Sequence, residues 1–471
     1  MERIETDLCI IGAGSGGLSL AAGAVQMGAR VVLVEGHRMG GDCLNYGCVP
    51  SKALLAAGKS AQAMRSGGPF GVAPVEPEVD YAAAQAHVAR AIAAIAPHDS
   101  VERFEALGVR VIQAWGRFVS EAELEAGDAV IAARRFVVAT GSSPLVPPVP
   151  GLEGVAYLTN ETLFDLRTRP GHLLIIGGGP VGLEMAQAHV RLGARVTVIE
   201  AARALGREDP ELAAVVLARL RAEGVEIVEG QAVTRVSGQA GAITVETSEG
   251  RHDGTHLLVA VGRRPNLDRL NLDAAGVEVT RAGIKVDAAL RSSNRRIYAI
   301  GDVAGGAQFT HVAGYHAGVV IRSILLGLPA KARGGHIPRV TYTDPELAQV
   351  GPTEQEAREV HGAKLTVTRF DFAGNDRAIA TGQAEGLIKV MVVRGRPVGA
   401  SIVGPEAGEL IGIWALAIAN GLKMGAVANM VAPYPTLGEV NKRAAGNYFS
   451  PRLFDNPWVK RVVRLVQRAI P

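Results

Sequence analysis

The sequence predicts an α/β fold with two nucleotide-binding units, because one pattern occurs twice along its 471 residues. Residues 8–35 and 173–200 are near copies. Each holds a short apolar run, a Gly-x-Gly-x-x-Gly turn, a helical stretch and a second apolar run that ends in an acid. Such short apolar runs are typical of buried parallel strands. Hydrophobic residues make up 48% of the chain and charged residues 20%, which excludes a disordered or fibrous protein.

The glycines of the two turns occupy equivalent positions: Gly12, Gly14 and Gly17, and Gly177, Gly179 and Gly182. The first glycine permits a tight turn from strand to helix, the second lets the backbone approach a pyrophosphate, and the third lets the helix pack on the strand. Glu35 and Glu200 each follow the first glycine by 23 residues, where an acid accepts hydrogen bonds from a ribose. A single such turn is a weak signal, but two copies in one context predict two Rossmann-like domains that bind a flavin and a nicotinamide dinucleotide.

The acid of the second unit also bears on the choice of nicotinamide cofactor. Glu200 would repel a 2′-phosphate, which favours NAD over NADP. Arg203 and Arg207 follow closely and could accept a phosphate, so NADP stays as the less favoured alternative.

Charge and hydropathy exclude several classes of partner and location. Lys and Arg number 49 against 46 Asp and Glu, so a net charge of +3 argues against a nucleic-acid-binding protein. No apolar run reaches the ~18 residues of a membrane span, and the amino terminus does not resemble a secretory signal. We therefore expect a cytoplasmic protein.

The three cysteines fall into two groups. Cys9 lies in the first apolar run, where we expect a core residue. Cys43 and Cys48 lie in a glycine-rich stretch, close enough for a disulfide if the local helix is distorted. A close pair in a reducing compartment is more often catalytic or metal-binding than structural. The alternatives are a zinc half-site, for which no further ligands lie nearby, and two buried thiols. We therefore predict no resident metal.

Two nucleotide-binding units combined with residues 40–52, Gly-Gly-Asp-Cys-Leu-Asn-Tyr-Gly-Cys-Val-Pro-Ser-Lys, resemble the class I FAD-dependent pyridine nucleotide–disulfide oxidoreductases. This family includes dihydrolipoamide dehydrogenase, glutathione reductase and mercuric reductase. The resemblance runs almost end to end, with further landmarks at residues 139–141, 260–266 and 298–302. It implies additional cofactor-binding residues: Lys52, Gly116, Thr140, Gly141, Gly262, Asp302 and Thr310.

The resemblance also implies a domain order. An FAD-binding domain would span residues 1–143 and 261–335, and an NAD-binding domain, residues 144–260, would be inserted into it. Residues 336–471 would form an α+β interface domain that builds a homodimer.

The activity implied by the resemblance is electron transfer between NAD(H), FAD and a redox-active Cys43–Cys48 disulfide. Cys48 would face the flavin, and Cys43 would exchange with the substrate. Lys52 would favour the thiolate and pair with Glu184.

One position departs from the family's usual pattern. The family usually carries His-Pro-Thr-x-x-Glu near its carboxyl end, whereas this chain has Tyr434 in place of the histidine and retains Glu439. A phenol with a pKa of ~10 is a proton donor and rarely a base at neutral pH, unlike an imidazole near ~6.5. Mercuric reductases resemble the chain here, but they end in a cysteine pair, and this chain has no cysteine after Cys48.

The favoured hypothesis is therefore a dihydrolipoamide-dehydrogenase-like enzyme acting on a thiol or disulfide. A mercuric-reductase-like enzyme that reduces Hg or Cu ions and a quinone reductase are alternatives. A redox-responsive binding protein, in which turnover is incidental, is an alternative of another class.

Residues 456–470 carry a separate signal. Apolar residues recur there at helical spacing, and basic residues fill the positions between them. Such a helix either packs on its own dimer, which we favour, or lies on an anionic membrane surface.

Overall fold

A computed structural model describes residues 1–470, and Pro471, the last residue of the predicted interface domain, lies outside the described residues.

The first part of the chain forms a parallel layer in the order β3-β2-β1-β6, and β5 and β4 extend it antiparallel from the first half of β6. Its strands are β1 (Glu2–Ile11), β2 (Val31–Val34), β3 (Arg110–Ile112), β4 (Gly116–Ser120), β5 (Glu123–Ala126), β6 (Ala129–Val138) and β7 (Ser142–Pro144). Its helices are α1 (Ser15–Gln26), α2 (Gly41–Asn45), α3 (Cys48–Arg65), α4 (Tyr81–Ile95) and α5 (Val101–Ala106).

The second nucleotide-binding unit builds its own parallel sheet in the order β10-β9-β8-β14, beside an antiparallel sheet of β11, β12 and β13. The strands are β8 (His172–Ile176), β9 (Arg195–Glu200), β10 (Glu226–Glu229), β11 (Val233–Gln239), β12 (Ala242–Thr247), β13 (Arg251–Gly254) and β14 (His256–Val259). The helices are α6 (Pro180–Arg191) and α7 (Pro210–Ala222).

A short ribbon marks the place where the chain leaves and re-enters the first domain. There β15 pairs antiparallel with β7, and further along β18 pairs parallel with the end of β6, which completes the first sheet. The elements of this return are β15 (Arg263–Pro265), β16 (Val279–Thr280), β17 (Gly283–Ile284), β18 (Ile297–Ala299) and α8 (Thr310–Leu326). The domain limits at residues 143 and 261 stay a prediction; residue 143 lies within β7, and residue 261 lies two positions before β15.

The last part of the chain is a five-stranded antiparallel sheet in the order β19-β20-β23-β22-β21, with helices around it. Trp414 and Phe372 are fully buried in its core. The strands are β19 (Pro338–Thr341), β20 (Glu346–Val350), β21 (Leu365–Asp371), β22 (Leu387–Val393) and β23 (Arg396–Gly404). The helices are α9 (Glu354–His361), α10 (Asp376–Ala380), α11 (Ala407–Leu410), α12 (Gly412–Ala419), α13 (Met424–Ala428), α14 (Glu439–Asn447), α15 (Ser450–Phe454) and α16 (Pro457–Ala469).

The repeated glycine turns have the same geometry in both units. Gly12 has a φ of +107° and Gly177 a φ of +112°, which side chains rarely adopt. A Cβ atom on Gly12 or Gly177 would collide with the carbonyl oxygen of the residue that follows the neighbouring strand, Ala139 after β6 or Ala260 after β14. These turns and the α+β sheet confirm the predicted fold class.

Candidate active site

One large cavity, about 820 Å³ in volume, is lined by residues of the first nucleotide-binding part, of the second nucleotide-binding part and of the last part of the chain. It contains the first glycine turn, the cysteine pair, the start of α8 and one side of α6. The predicted site residues that line it are Gly12, Gly14, Glu35, Cys43, Cys48, Lys52, Gly116, Thr140, Gly141, Glu184, Asp302 and Thr310. The predicted site residues outside its lining are Gly17, Gly177, Gly179, Gly182, Glu200, Gly262, Tyr434 and Glu439.

The cysteine pair sits at a helix start. Cys43 lies in α2, Cys48 is the first residue of α3, and both thiols are free in the structure. The Sγ of Cys48 lies 3.4 Å from Oγ1 of Thr310, at the start of α8. Helix amino termini stabilise a thiolate. Cys9, by contrast, is fully buried in β1, and burial raises the pKa of its thiol, so it is unreactive.

The two thiols share one proton. A hydrogen bond from Cys43 lowers the pKa of Cys48 to about 6, against the opposing effect of burial, and Thr310 and the charge of Lys52 lower it further. The same hydrogen bond, together with burial, raises the pKa of Cys43. These opposite shifts favour a Cys48 thiolate that accepts a hydrogen bond from the Cys43 thiol.

An ion pair beside the thiolate joins α3 to α6, and a residue of the last part of the chain contacts both partners. Lys52 lies one turn after Cys48 on α3, and its Nζ is 2.8 Å from Oε2 of Glu184 on α6. The other oxygen of Glu184 accepts a hydrogen bond of 2.9 Å from the backbone N–H of Tyr342. The ammonium of Lys52 also lies 4.3 Å from the centre of the Tyr342 ring. Lys52 is thus held in place from two domains other than its own.

Helix α6 is fixed to the last domain by further polar contacts. The side chain of Gln187 exchanges hydrogen bonds of 2.7 and 2.9 Å with the backbone of Asp344. The buried guanidinium of Arg191 contacts carboxylates of Glu223 at 2.7 Å and Asp344 at 3.0 Å. These contacts set the position of Glu184, and therefore of Lys52.

A second polar network lies behind the cysteines. The hydroxyl of Ser142 donates to Oδ2 of Asp302 at 2.5 Å and accepts from Nε of Arg263 at 2.7 Å. Arg263 also contacts Oδ1 of Asp42, the neighbour of Cys43, at 2.9 Å. Burial raises the pKa of Asp302, although Ser142 and Arg263 act in the opposite direction.

Asp42, Ser142 and Arg263 were not among the predicted site residues. The sequence held a signal for two of them, because Asp42 lies in the stretch 40–52 and Arg263 in the landmark 260–266. Their contact joins residues more than 200 positions apart, which no local pattern reveals.

The first glycine turn fits the pyrophosphate and ribose of FAD. Gly41 packs so closely on Gly14 that a Cβ atom would lie 2.7 Å from the Gly14 Cα, which leaves bare backbone facing the cavity. Glu35 lies at the same edge, and its carboxylate accepts hydrogen bonds from the backbone N–H groups of Ala13 at 2.6 Å and His37 at 2.7 Å. Bare amides beside a fixed carboxylate suit phosphate on one side and ribose on the other.

The second turn has an equivalent carboxylate. Glu200 accepts hydrogen bonds from the N–H groups of Gly178 at 2.7 Å and Ala202 at 2.9 Å. The turn itself lies outside the large cavity, but α6 reaches the cavity through Pro180, Val181 and Glu184. A nicotinamide dinucleotide bound at this turn would therefore extend along α6 towards Lys52 and the cysteines.

Tyr434 and Glu439 lie in the last domain. Tyr434 is 69% exposed, and its hydroxyl donates a 2.8 Å hydrogen bond to Asp376, which raises the pKa of the phenol. Glu439 is the first residue of α14. Large apolar side chains of this last part of the chain are also exposed in the single chain, among them Ile379, Leu416 and Val431.

Residues 1–470 contain neither a cluster of metal ligands nor a helix that could span a membrane. No group of three or more His, Cys, Asp or Glu side chains in that range could hold a metal ion. No helix there is long and apolar enough to cross a bilayer.

Comparison with known families gives two matches that together span most of the chain. Residues 6–317 match the pyridine nucleotide-disulphide oxidoreductases, and residues 337–445 match the dimerisation domain of the same family. The dimerisation-domain match supports a homodimer.

Individual relatives carry two different activities in their names. A mercuric reductase of Lysinibacillus sphaericus is 35% identical over 449 residues, which are 93% of this chain and 82% of the relative. A dihydrolipoyl dehydrogenase of Bacillus subtilis (strain 168) is 34% identical over 448 residues, 92% of this chain and 96% of the relative.

A solved structure is similar over nearly the whole fold. It is the Cu(II) complex of the HOCl-induced flavoprotein disulfide reductase RclA from Escherichia coli, at 28% identity with a TM-score of 0.84. The match covers 93% of this chain and 99% of that one. The family uses FAD and NAD(P), and the chain belongs to it: it is a pyridine nucleotide–disulphide oxidoreductase.

Proposed function

We propose that this chain is an NADH-dependent flavoprotein reductase that passes electrons through Cys43 and Cys48 to a thiophilic metal ion such as Hg(II) or Cu(II). The observation that carries the proposal is the Tyr434–Asp376 hydrogen bond. It holds a phenol with a raised pKa where the family usually has a histidine base. Without that base, a substrate thiol has no obvious group to take its proton, whereas a metal ion needs only soft sulfur ligands.

When bound, FAD and the nicotinamide supply hydride transfer and a route for electron pairs to the cysteines. The chain's own residues prepare the cysteines for that exchange. Thr310 and Lys52 stabilise the Cys48 thiolate, and Cys43 keeps the shared proton. Release of that proton would give two soft thiolates that can hold a metal ion between them.

For the electron donor we propose NADH over NADPH. The carboxylate of Glu200 is fixed at the end of β9 by two backbone amides, where it would face the 2′ position of the ribose. A phosphate there would meet a fixed negative charge.

A second candidate function is the oxidation or reduction of a lipoyl-type dithiol. The chain keeps Pro435, Thr436 and Glu439 after the replaced histidine, and its match to the dihydrolipoyl dehydrogenase covers 96% of that relative. This candidate requires another proton acceptor in place of the imidazole.

An acceptor panel tests the proposal. The purified flavoprotein is reduced with NADH without oxygen and then offered lipoamide, glutathione disulfide, Hg(II), Cu(II) or a soluble quinone. We expect the fastest reoxidation with Hg(II) or Cu(II), and slower reduction when NADPH replaces NADH. Fastest turnover with lipoamide would instead establish the second candidate. Slow reoxidation by every acceptor would indicate a redox-responsive binding protein.

A further inference from the structure

The last helix, α16, packs on no core of the chain. From Pro457 to Ile470 every side chain is exposed except the half-buried Val459, and no residue of the helix belongs to any of the five hydrophobic clusters. Trp458 is 71% exposed and Leu465 68% exposed. Large apolar side chains in such a position lack the burial that normally stabilises a helix.

The helix has two sharply separated faces. At 100° per residue, its apolar side chains fall within an arc of roughly 160°. These side chains are Trp458, Val459, Val462, Val463, Leu465, Val466 and Ile470. The opposite arc carries four cations, Lys460, Arg461, Arg464 and Arg468, and residues 457–470 contain no acid.

We propose that α16 lies along the surface of an anionic lipid bilayer, with its apolar face in the headgroup region and its cations on the lipid phosphates. Four cations without an acid complement a negatively charged surface. Tryptophan favours the interface between lipid and water. The 13 residues of the helix span about 20 Å, which is short of the ~30 Å hydrocarbon layer, so the helix lies in the plane of the surface.

A second copy of the helix fits this surface less well. Two copies packed through their apolar arcs would bring the cations that flank those arcs close together, with no acid on either helix to offset them. The match to the dimerisation domain also ends at residue 445, before α16 begins at Pro457.

The homodimer strengthens the attachment. One short amphipathic helix binds a bilayer weakly and reversibly. Two helices on one dimer raise the apparent affinity, because the second helix binds at a high effective concentration once the first has bound. This proposal does not depend on the identity of the electron acceptor.

Co-sedimentation with lipid vesicles tests the proposal. The full-length flavoprotein is mixed with vesicles of phosphatidylglycerol and phosphatidylcholine in equal parts, or of phosphatidylcholine alone. We expect binding to the anionic vesicles, weakened by salt. The double variant Arg461→Glu/Arg464→Glu, and separately Leu465→Asp, should lower the partition coefficient by about tenfold or more. NADH oxidation in solution should stay unchanged.

A matched control separates the helix from overall charge. Arg281 and Arg295 are exposed in the FAD-binding part, and Arg281→Glu/Arg295→Glu makes the same change in net charge. This control should bind the anionic vesicles like the wild type. Flavin content and elution volume show that each variant is folded and dimeric.

Tryptophan fluorescence gives a second readout, since a blue shift on addition of anionic vesicles should disappear in Trp458→Phe. Equal sedimentation of the wild type with both vesicle types would overturn the proposal. An equal loss of binding in the Arg281/Arg295 control would do the same. If the wild type binds neither vesicle type and truncation after Phe454 dissociates the dimer, α16 belongs to the dimer interface and the proposal is wrong.

Discussion

The reactivity of the cysteine pair depends on a single shared proton. Because the pKa of Cys48 is lowered to about 6, its thiolate fraction should rise as the pH increases through that value and level off at neutral pH. Alkylation of the reduced protein by iodoacetamide, located by mass spectrometry, should therefore reach a plateau near pH 7. In Cys43→Ala the donor is lost, and the midpoint should move upward by about a unit or more.

Buried Cys9 serves as an internal control, because it should remain unmodified throughout. A midpoint that is the same in the wild type and in Cys43→Ala would contradict the shared-proton account.

Under the proposed function, Tyr434 is the residue that limits action on a thiol. The substitution Tyr434→His restores a side chain that can take and return a proton near neutral pH, so lipoamide turnover should rise by about 10²-fold or more. Tyr434→Phe is the matched control and should not raise it. Steady-state kinetics with reduced lipoamide separate kcat from KM. A flat kcat in Tyr434→His with unchanged KM would show that the missing base is not the limiting factor.

The contacts of individual residues divide into those that local sequence reveals and those that it does not. The spacing of Cys48 and Lys52 placed them one helical turn apart, and the structure has them so. The pairing of Lys52 with Glu184 came only from a family resemblance. The contact of Tyr342 with both residues joins three domains, and nothing in the sequence around Tyr342 marks it.

The two glycine turns are equivalent elements, and we propose that the first serves the flavin and the second the nicotinamide dinucleotide. Gly12→Ala should give a chain that lacks flavin, because the new methyl group collides with the carbonyl of Ala139. Gly177→Ala meets the same collision at Ala260, in the second turn. Because the first turn is unchanged, this variant should keep its flavin but should no longer be reduced by NADH. Flavin absorbance per chain and stopped-flow reduction measure the two effects.

Gly318→Ala is the control for these variants, because Gly318 lies exposed on α8 with open space around its Cα. It should behave like the wild type. Loss of flavin in Gly177→Ala would contradict the separation of the two sites.

Elements differ in how far the sequence predicted them. The two nucleotide-binding units were predictable because buried parallel strands, glycine turns and acids repeat at one spacing. The ribbon of β7 and β15 was not, since three-residue strands that contain proline carry no periodic pattern. The sheet of β11, β12 and β13 was not predicted either, because only three of its 17 residues are buried and its alternation of buried and exposed positions is weak.

A buried cation, Lys389, joins separate parts of the chain, in addition to the contacts among Lys52, Glu184 and Tyr342 at the site. Lys389 in β22 is 7% exposed and contacts Asp209, Glu211 and Glu354 at 2.7–3.1 Å, which links the NAD-binding part to the last domain. Lys389→Met would leave the buried carboxylate of Asp209 without a cation, whereas Glu211 and Glu354 keep their contacts with Arg369 and Arg358. The unfolding free energy should therefore fall by about 3–5 kcal/mol. Denaturant titration followed by circular dichroism measures the change.

The exposed ion pair of Arg369 with Glu211 provides the comparison. Arg369→Met should cost no more than about 1 kcal/mol. Similar losses of unfolding free energy in both variants would show that the buried contacts of Lys389 stabilise the protein no more than an exposed ion pair does.

The order of the domains in the whole molecule followed from the family resemblance, because composition alone allows many arrangements of this length. How the domains pack could not be predicted. It rests on pairs such as Gln187 with Asp344 and Lys389 with Asp209, whose partners lie more than 150 residues apart.

In the proposed function, Cys43 and Cys48 store electrons together with the flavin. Anaerobic titration with NADH, followed by flavin absorbance, tests it most directly. The wild type should take up one more equivalent of NADH per flavin than Cys43→Ser/Cys48→Ser, with a long-wavelength thiolate–flavin band at the intermediate stage. Equal uptake by the two proteins, without that band in the wild type, would contradict the claim.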